Sequence, residues 1–191
     1  MKQTTINFRN ATPKRTCEKK YAKYGSYKKY ISADFNRRCG YTDCSDFWFG
    51  GSNTFHIDHF KPWKKNPHLK TEYSNLVYCC SYVNILKSDD EGDYLDPCNI
   101  DFNQHFERDL IGNIIAKKNS KEANYMYKQL RLYMKRYQII WMLDEILLKL
   151  KKIETAIKDP KNIALKTDLH IAHSELSMEM TDYIEYLKIN Q

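Results

Sequence analysis

An α+β fold is predicted for this chain, with short strands and turns in its middle and long helices in its C-terminal part. From Arg38 to Tyr94 the sequence is rich in Gly, Pro, Asn, Cys and aromatic residues around short apolar runs, a composition typical of turns and short strands. After residue 119 the apolar residues recur at the three- and four-residue spacing of amphipathic helices. The 191 residues suffice for one compact domain with extensions or for two small domains, and we expect one folding unit.

The N-terminal segment, residues 1–37, is predicted to be basic and helical, with its helix over residues 14–35. Eleven Lys and Arg precede Cys39 against two acids, Glu18 and Asp34, and the whole chain has a formal net charge of +7. Such an excess is typical of a surface that faces a polyanion. A merely solvated helix face explains the lysines equally well.

Tyrosines recur every three residues among those lysines, at Tyr21, Tyr24, Tyr27 and Tyr30. Helical spacing places them on one side of a helix, where they pack against the rest of the protein. Alternatively, the rings stack on the bases of a bound nucleic acid. Packing is favoured because the spacing explains the tyrosines without a ligand.

The central segment, residues 38–98, predicts a strand, a loop, a second strand and a helix. Residues 54–60 form a β-branched and aromatic run, and residues 74–80 form its partner after a loop. A helix is predicted over residues 82–87. Because binding and catalytic residues concentrate on loops held by a rigid scaffold, we expect the function to lie in this segment.

The C-terminal part is predicted to carry two helices after a short connecting segment. Residues 99–118 contain turn signals, so we expect loops with a small hairpin that wrap the central segment. A cap at Asn119 and apolar periodicity to about residue 157 predict one long amphipathic helix. Pro160 breaks it, and a second helix is predicted over residues 163–187. The extension, residues 119–191, is therefore interpreted as a helical hairpin that acts as a scaffold or docks a partner.

Three short runs in the central segment carry a motif. Residues 55–62 read FHIDHFKP, residues 73–80 read YSNLVYCC, and residues 84–89 read NILKSD. Their order resembles the motif of the HNH endonucleases, the ββα-metal finger, across about a quarter to a third of the chain. That motif has an acid or histidine before a histidine, then Asn-Leu, then a histidine or asparagine nine positions after the first asparagine. Asn84 follows Asn75 by nine positions, and several coupled positions are more specific than an Asp-His pair alone.

The resemblance implies a role for each matching residue. Asp58 and Asn84 would ligate a metal ion, and His59 would be the general base. Asn75 would brace the loop that carries His59, and Lys87 would contact the phosphate backbone. The products implied by the family are a 5′-phosphate and a 3′-hydroxyl.

The chemistry of phosphodiester hydrolysis agrees with these residue types. The reaction needs an activated water, a cation where negative charge grows on the phosphate, and help for the leaving oxygen. A histidine is largely neutral near pH 7 and can therefore accept a proton from water. Asp58 and Asn84 offer oxygen ligands, which suit one hard ion, Mg²⁺ or Mn²⁺.

Each of these residues also has an interpretation without chemistry. An Asp-His pair at the end of a strand, here Asp58 and His59, is often a turn with an ion pair. Asn84 is of a type that caps helices well, and Lys87 is as well explained by solvent as by phosphate. His56 shares a strand face with Asp58 and would be a further ligand or a hydrogen-bond donor to one, although an ordinary strand histidine is favoured.

The six cysteines do not complete the structural zinc site that many HNH proteins carry in two Cys-x-x-Cys pairs. Cys39 begins the first pair with Thr42 at its mate position, and Cys80 begins the second with Val83 at its mate position. Cys44, Cys79 or Cys98 could rebuild a set of four, which zinc requires. We favour small buried hydrophobic residues over a structural Zn²⁺ site.

The flanking sequence gives a wider resemblance. The basic segment, Tyr94–Cys98 and His105 before a helical tail are similar to small HNH proteins of prokaryotic phage-defence operons. These include the nuclease subunit of Septu-type systems, which works with an ATPase partner. We therefore expect a cytoplasmic endonuclease of antiviral defence that cuts DNA and does not enter a membrane, with an ATPase as a candidate partner. The alternatives are an RNA substrate, or a non-catalytic module that binds nucleic acid or protein and keeps the finger as a scaffold.

Overall fold

Residues 5–189 of the protein are described by a computed structural model. This range forms a mixed α+β fold, as the sequence predicts, with five strands and five α-helices. The strands are β1 (Thr5–Asn7), β2 (Phe55–His59), β3 (Leu76–Cys80), β4 (Phe106–Asp109) and β5 (Ile114–Ala116). The helices are α1 (Lys28–Asp34), α2 (Ser81–Lys87), α3 (Lys121–Gln129), α4 (Lys135–Lys158) and α5 (Lys166–Ile189).

The strands form two small antiparallel sheets. One sheet has the order β1-β4-β5, so the N-terminal strand pairs with a hairpin about a hundred residues later. The other sheet is the β2–β3 hairpin, in which Phe55 pairs with Cys80 and His59 pairs with Leu76. All five residues of β3 are buried, so this strand lies in the interior of the fold.

The strand, loop, strand and helix predicted for the central segment are present as β2, β3 and α2. Their bounds lie within two residues of the prediction, and the C-terminal ends of β3 and α2 coincide with it. Local sequence explains the agreement, because β-branched and aromatic residues favour the strands and turn residues separate them. α2 begins at Ser81, directly after β3 ends at Cys80, so the helix is tied closely to the sheet.

The predicted N-terminal helix over residues 14–35 is wrong for its first half. Only Lys28–Asp34 is α-helical, after a short 3₁₀ turn at Tyr24–Tyr27. Long-range side-chain bonds hold the preceding chain. The Arg15 guanidinium donates to both carboxylate oxygens of Asp96 at 3.0 Å. These tertiary contacts outweigh the helical spacing.

The predicted continuous helix over residues 119–157 is also wrong. α3 ends at Gln129 and α4 begins at Lys135, and Arg131 between them has a left-handed φ of 49°. Leu130 and Leu132 on either side of Arg131 are 0% and 1% exposed. Burying both leucines stabilises the turn by several kcal/mol, on the order of 1.5–3 kcal/mol each. The cap is Ser120, whose hydroxyl accepts from the backbone N–H of Ala123 at 3.1 Å, and not Asn119.

The chain divides into two compact units between Tyr137 and Gln138. In the second unit, α4 and α5 form the predicted helical hairpin around a 3₁₀ turn at Pro160–Leu165. Glu154 of α4 and His173 of α5 approach to 3.5 Å across it. Among residues 5–189, none of the helices combines the length and the apolar character needed to cross a membrane.

Candidate active site

The β2–β3 hairpin presents candidate site residues on two faces. His56 and Asp58 point to one face and His59 to the other, because successive side chains of a strand alternate. Helix α2 covers the first face, where Asn84 meets His56 and Lys87 meets Asp58. We call the first side the Asp58 face and the second side the His59 face.

On the Asp58 face, the carboxylate of Asp58 is buried and fully engaged. The Tyr41 hydroxyl donates to Oδ2 at 2.7 Å, and the Lys87 ammonium lies 3.4 Å from Oδ1 and 3.3 Å from Oδ2. Burial raises the pKa of Asp58 above its usual value, while Lys87 and Tyr41 act in the opposite direction. Burial also raises the pKa of Tyr41, and the Asp58 charge adds to that effect, so Tyr41 is a hydrogen-bond donor near neutral pH.

Lys87 lies in the interior of the protein. Its side chain is 0% exposed, and its ammonium also donates to the backbone carbonyl of His59 at 3.0 Å. The ring of Tyr94 lies 5.4 Å from the same ammonium. Phosphate contact and solvent exposure, the two interpretations offered by the sequence, both place Lys87 at the surface. The structure instead places it as the internal counter-charge of Asp58.

On the His59 face, the imidazole of His59 has one nitrogen committed and one available. Its Nε2 lies 2.9 Å from the backbone carbonyl of Lys70, and a carbonyl can only accept, so Nε2 carries the hydrogen. Nδ1 is then the nitrogen that can take up a proton. The residue is 7% exposed. Burial lowers the pKa of His59, although the Lys70 carbonyl and Asp58 oppose this effect, so the ring is neutral at pH 7.

Asn75 ties together the loop between β2 and β3. Its side-chain oxygen accepts from the backbone N–H of Lys61 at 2.9 Å, and its amide nitrogen donates to the carbonyls of Lys61 at 3.0 Å and Leu69 at 3.4 Å. Its own carbonyl accepts from the N–H of Phe60 at 2.8 Å. These bonds hold the loop between His59 and Lys70 near both of its ends. The loop therefore keeps the Lys70 carbonyl in place beside the His59 ring.

Asn84 pairs with His56 on the Asp58 face. Its amide nitrogen lies 3.2 Å from Nδ1 of His56, and its side-chain oxygen lies 4.0 Å from the Cys79 sulfur. Asn84 does not cap α2, since it lies in the interior of Ser81–Lys87. Capping, the alternative interpretation of this asparagine, is therefore wrong.

The donors on the Asp58 face fit a hard cation in kind. Asp58 supplies carboxylate oxygens, Asn84 an amide oxygen and His56 an imidazole nitrogen, all on one face. Residues 5–189 contain no group of three or more His, Cys, Asp or Glu side chains placed to hold a metal ion. An ion bound here would therefore complete its shell with water and share Asp58 with Lys87 and Tyr41.

Cys39 and Cys80, which begin the two Cys-x-x-Cys patterns of the sequence, lie next to each other in the structure. The Cys39 side chain is hydrogen-bonded to the side chains of Cys80 and Thr42, and the Cys80 side chain to the backbone of Val83. Thr42 and Val83 contribute no thiolate, so two zinc ligands remain from the family's set of four. Cys39 and Cys80 are 1% and 0% exposed, which suits small buried hydrophobic residues.

Sequence analysis missed several residues that surround these groups. Tyr41 precedes Asp58 by 17 residues and lies in no motif, and Lys70 acts through its backbone carbonyl. The sequence gives Tyr24 the same spacing as the other three tyrosines, but its ring centroid lies 4.8 Å from that of His59. The exposure of Tyr24 between the packed tyrosines becomes visible only in three dimensions.

Comparison with known proteins identifies no relative from which a function could be inferred. No model of a protein family, no curated protein and no solved structure matches this chain. The spacing of Asp58, His59, Asn75 and Asn84 and the two faces of the hairpin are therefore the observations that bear on activity.

Proposed function

We propose that the protein is an HNH-type, metal-dependent endonuclease that hydrolyses phosphodiester bonds of DNA. The observation that carries the proposal is the state of His59, a buried and neutral imidazole whose Nε2 is held by the Lys70 carbonyl. The bond to the Lys70 carbonyl fixes the tautomer and leaves Nδ1 able to accept a proton, which a general base requires. The Asp58 carboxylate, on the opposite face of the same strand, is a proposed oxygen ligand of the metal ion.

In the proposed reaction His59 removes a proton from the attacking water through Nδ1. Its lowered pKa keeps the ring neutral, and therefore able to accept a proton, at physiological pH. Asn75 acts as a positioning residue, because its bonds to Lys61 and Leu69 hold the loop that carries the Lys70 carbonyl. A base held in one orientation reacts faster than one that must first adopt that orientation.

The proposed metal ligands are Asp58 and Asn84, with His56 beside them. A bound Mg²⁺ or Mn²⁺ would supply positive charge to the phosphate oxygen on which negative charge grows. Tyr41 fixes the orientation of the Asp58 carboxylate by its 2.7 Å hydrogen bond. Lys87 neutralises part of the Asp58 charge from inside the fold, so the pocket remains stable without a cation.

The wider setting of the proposal is antiviral defence in the cytoplasm. Its support is the resemblance of the flanking sequence to the nuclease subunit of Septu-type systems, whose partner is an ATPase. The helical hairpin of α4 and α5 is a candidate surface for such a partner. Copurification of the full chain with a co-expressed candidate ATPase tests this part of the proposal.

A plasmid-nicking assay tests the proposed activity. Wild-type protein should nick supercoiled DNA with Mg²⁺ or Mn²⁺ and not with EDTA, and His59→Ala should reduce the rate by roughly 10²- to 10⁴-fold. His68→Ala is the matched control, because His68 lies in the loop that follows His59 and is exposed. Equal cleavage by wild type and His59→Ala would contradict the proposal, as would no cleavage by either protein even with the ATPase partner.

A non-catalytic binding module is the second candidate, and one observation favours it. Tyr41 and Lys87 already satisfy Asp58, and Asn84 is paired with His56, so the face is stable without an ion. Such a module would bind DNA with unchanged affinity in EDTA and would leave it intact. Measuring DNA binding and cleavage on the same samples separates the two candidates.

A further inference from the structure

Two half-exposed aromatic rings are connected to His59. Tyr24 and Trp63 are each 37% exposed. The Tyr24 ring packs edge-on against His59, with 4.8 Å between centroids. Trp63 is connected through Lys70, whose carbonyl bonds to His59 and whose ammonium lies 4.3 Å from the centre of the Trp63 ring. Tyr24 therefore contacts the candidate base directly, and Trp63 lies on the side chain of the residue whose carbonyl orients that base.

Packing explains the other tyrosines of the N-terminal segment. Tyr27 is 2% exposed and lies 4.9 Å from the ring of Tyr73. The hydroxyls of Tyr21 and Tyr30 are 3.0 Å apart, and the Tyr21 ring lies edge-on to Tyr27. Tyr24 differs from these three because it is exposed and touches a candidate catalytic residue.

Other exposed rings of the first unit do not share this connection. Phe47 and Tyr133 are 66% and 56% exposed, and their ring contacts are with Trp48 and Tyr127, respectively. Single exposed aromatic residues of this kind are ordinary on protein surfaces and need no ligand. The connection to His59, rather than exposure alone, is what distinguishes Tyr24 and Trp63.

Cations accompany the two rings. Lys23 directly precedes Tyr24, Lys61 lies two residues before Trp63, and Lys70 covers part of the Trp63 ring. All three lysines are exposed. Exposed lysines attract a phosphate backbone of any sequence, and aromatic faces add stacking with bases.

We propose that Tyr24 and Trp63 stack on unpaired bases next to the scissile phosphate, so that the substrate is a single-stranded nucleic acid or a single-stranded region. This inference rests on the proposed function and names its substrate class. The face of a base is open to a ring only where the base has left the stack, because a duplex presents phosphates and base edges. The faces of Tyr24 and Trp63 can therefore stack on the bases of an unpaired strand, whereas an intact duplex offers them no exposed base face.

Binding on a His59→Ala background tests the inference without cleavage. Fluorescence anisotropy would be measured with a labelled 12-nucleotide single strand, as DNA and as RNA, and with the DNA duplex of the same sequence. We expect the single strand to bind about tenfold more tightly than the duplex. Tyr24→Leu and Trp63→Leu should each weaken single-strand binding by about fivefold to a hundredfold, the loss of one stacked base. Duplex binding should change less than about twofold.

Leucine retains apolar bulk at each position, so the variants test the aromatic face rather than packing. Thermal unfolding monitors the fold of each variant, and Phe47→Leu, the matched control, should bind like its parent. Unchanged single-strand binding in folded Tyr24→Leu and Trp63→Leu would overturn the inference, as would tighter binding of the duplex. If either result is found and the wild type cleaves duplex DNA, the nuclease proposal is retained and only the single-strand inference is rejected. If single-strand binding depends on the two rings but no nucleic acid is cleaved, the nuclease proposal is rejected and the strand-binding surface is retained.

Discussion

The two faces of the β2–β3 hairpin differ in how their polar side chains, His59 and Asp58, are hydrogen-bonded. On the His59 face a single carbonyl orients a neutral ring and leaves one nitrogen available. On the Asp58 face a tyrosine and an internal lysine satisfy a buried carboxylate before any ion or substrate arrives. The His59 face thus leaves one imidazole nitrogen able to accept a proton, whereas on the Asp58 face the carboxylate charge is already paired with an ammonium. A cation that binds at Asp58 must share the carboxylate with an ammonium already in place.

Removing the internal ammonium should have the largest effect on stability. Lys87→Met leaves Asp58 buried beside no cation, and breaking a buried pair in this way costs about 3–5 kcal/mol of unfolding free energy. The double variant Asp58→Asn with Lys87→Met removes both charges and should recover part of this loss. Urea unfolding of the two single variants and the double variant gives the coupling between the residues. Additive effects of the two substitutions would show that the pair does not hold the face together.

Loosening the loop between β2 and β3, which should alter the His59 face, is expected to have the second-largest effect. Asn75→Ala removes three hydrogen bonds to the backbone of Lys61 and Leu69 and should cost about 1–3 kcal/mol of unfolding free energy. If the proposed function holds, kcat should fall more than stability predicts, because the Lys70 carbonyl no longer orients His59. Single-turnover cleavage well below the unfolding temperature separates the two effects. Full activity in folded Asn75→Ala would exclude its positioning role.

The smallest effect is expected for His56, which is exposed. His56→Ala should change the unfolding free energy by less than about 0.5 kcal/mol, as surface substitutions usually do. Because His56 orients the Asn84 amide, we expect the affinity for Mn²⁺, measured by calorimetry, to fall about tenfold. His68→Ala again provides the control. An unchanged Mn²⁺ affinity would remove His56 from the metal site and sharpen the contrast between the faces.

The parts of the fold that could be predicted are those with local causes. β2, β3 and α2 follow from strand-forming runs and turns, and the alternation of side chains separates Asp58 from His59 in advance. The burial of Lys87 could not be predicted, because a lysine seven residues into a helix is usually solvated and nothing local indicates its pairing with Asp58. The Lys70 carbonyl is likewise invisible in sequence, since every residue has one.

The parts predicted wrongly have distant causes. The tyrosine spacing in the N-terminal segment indicates a helix, but Arg15 is held by Asp96, 81 residues away. The periodicity after residue 119 continues through the turn at Arg131, where the burial of Leu130 and Leu132 determines the conformation. In both places the spacing of the side chains indicates a helix that the backbone does not form, because long-range contacts outweigh helix propensity.

Chemical rescue tests the proposed role of His59 most directly. Single-turnover cleavage by His59→Ala would be measured with Mn²⁺ at increasing concentrations of imidazole, with the wild type in the same buffers. A general base predicts a low rate without imidazole, a rise with imidazole concentration in the variant, and little change in the wild type. Cleavage by His59→Ala at the wild-type rate in the absence of imidazole would contradict the account.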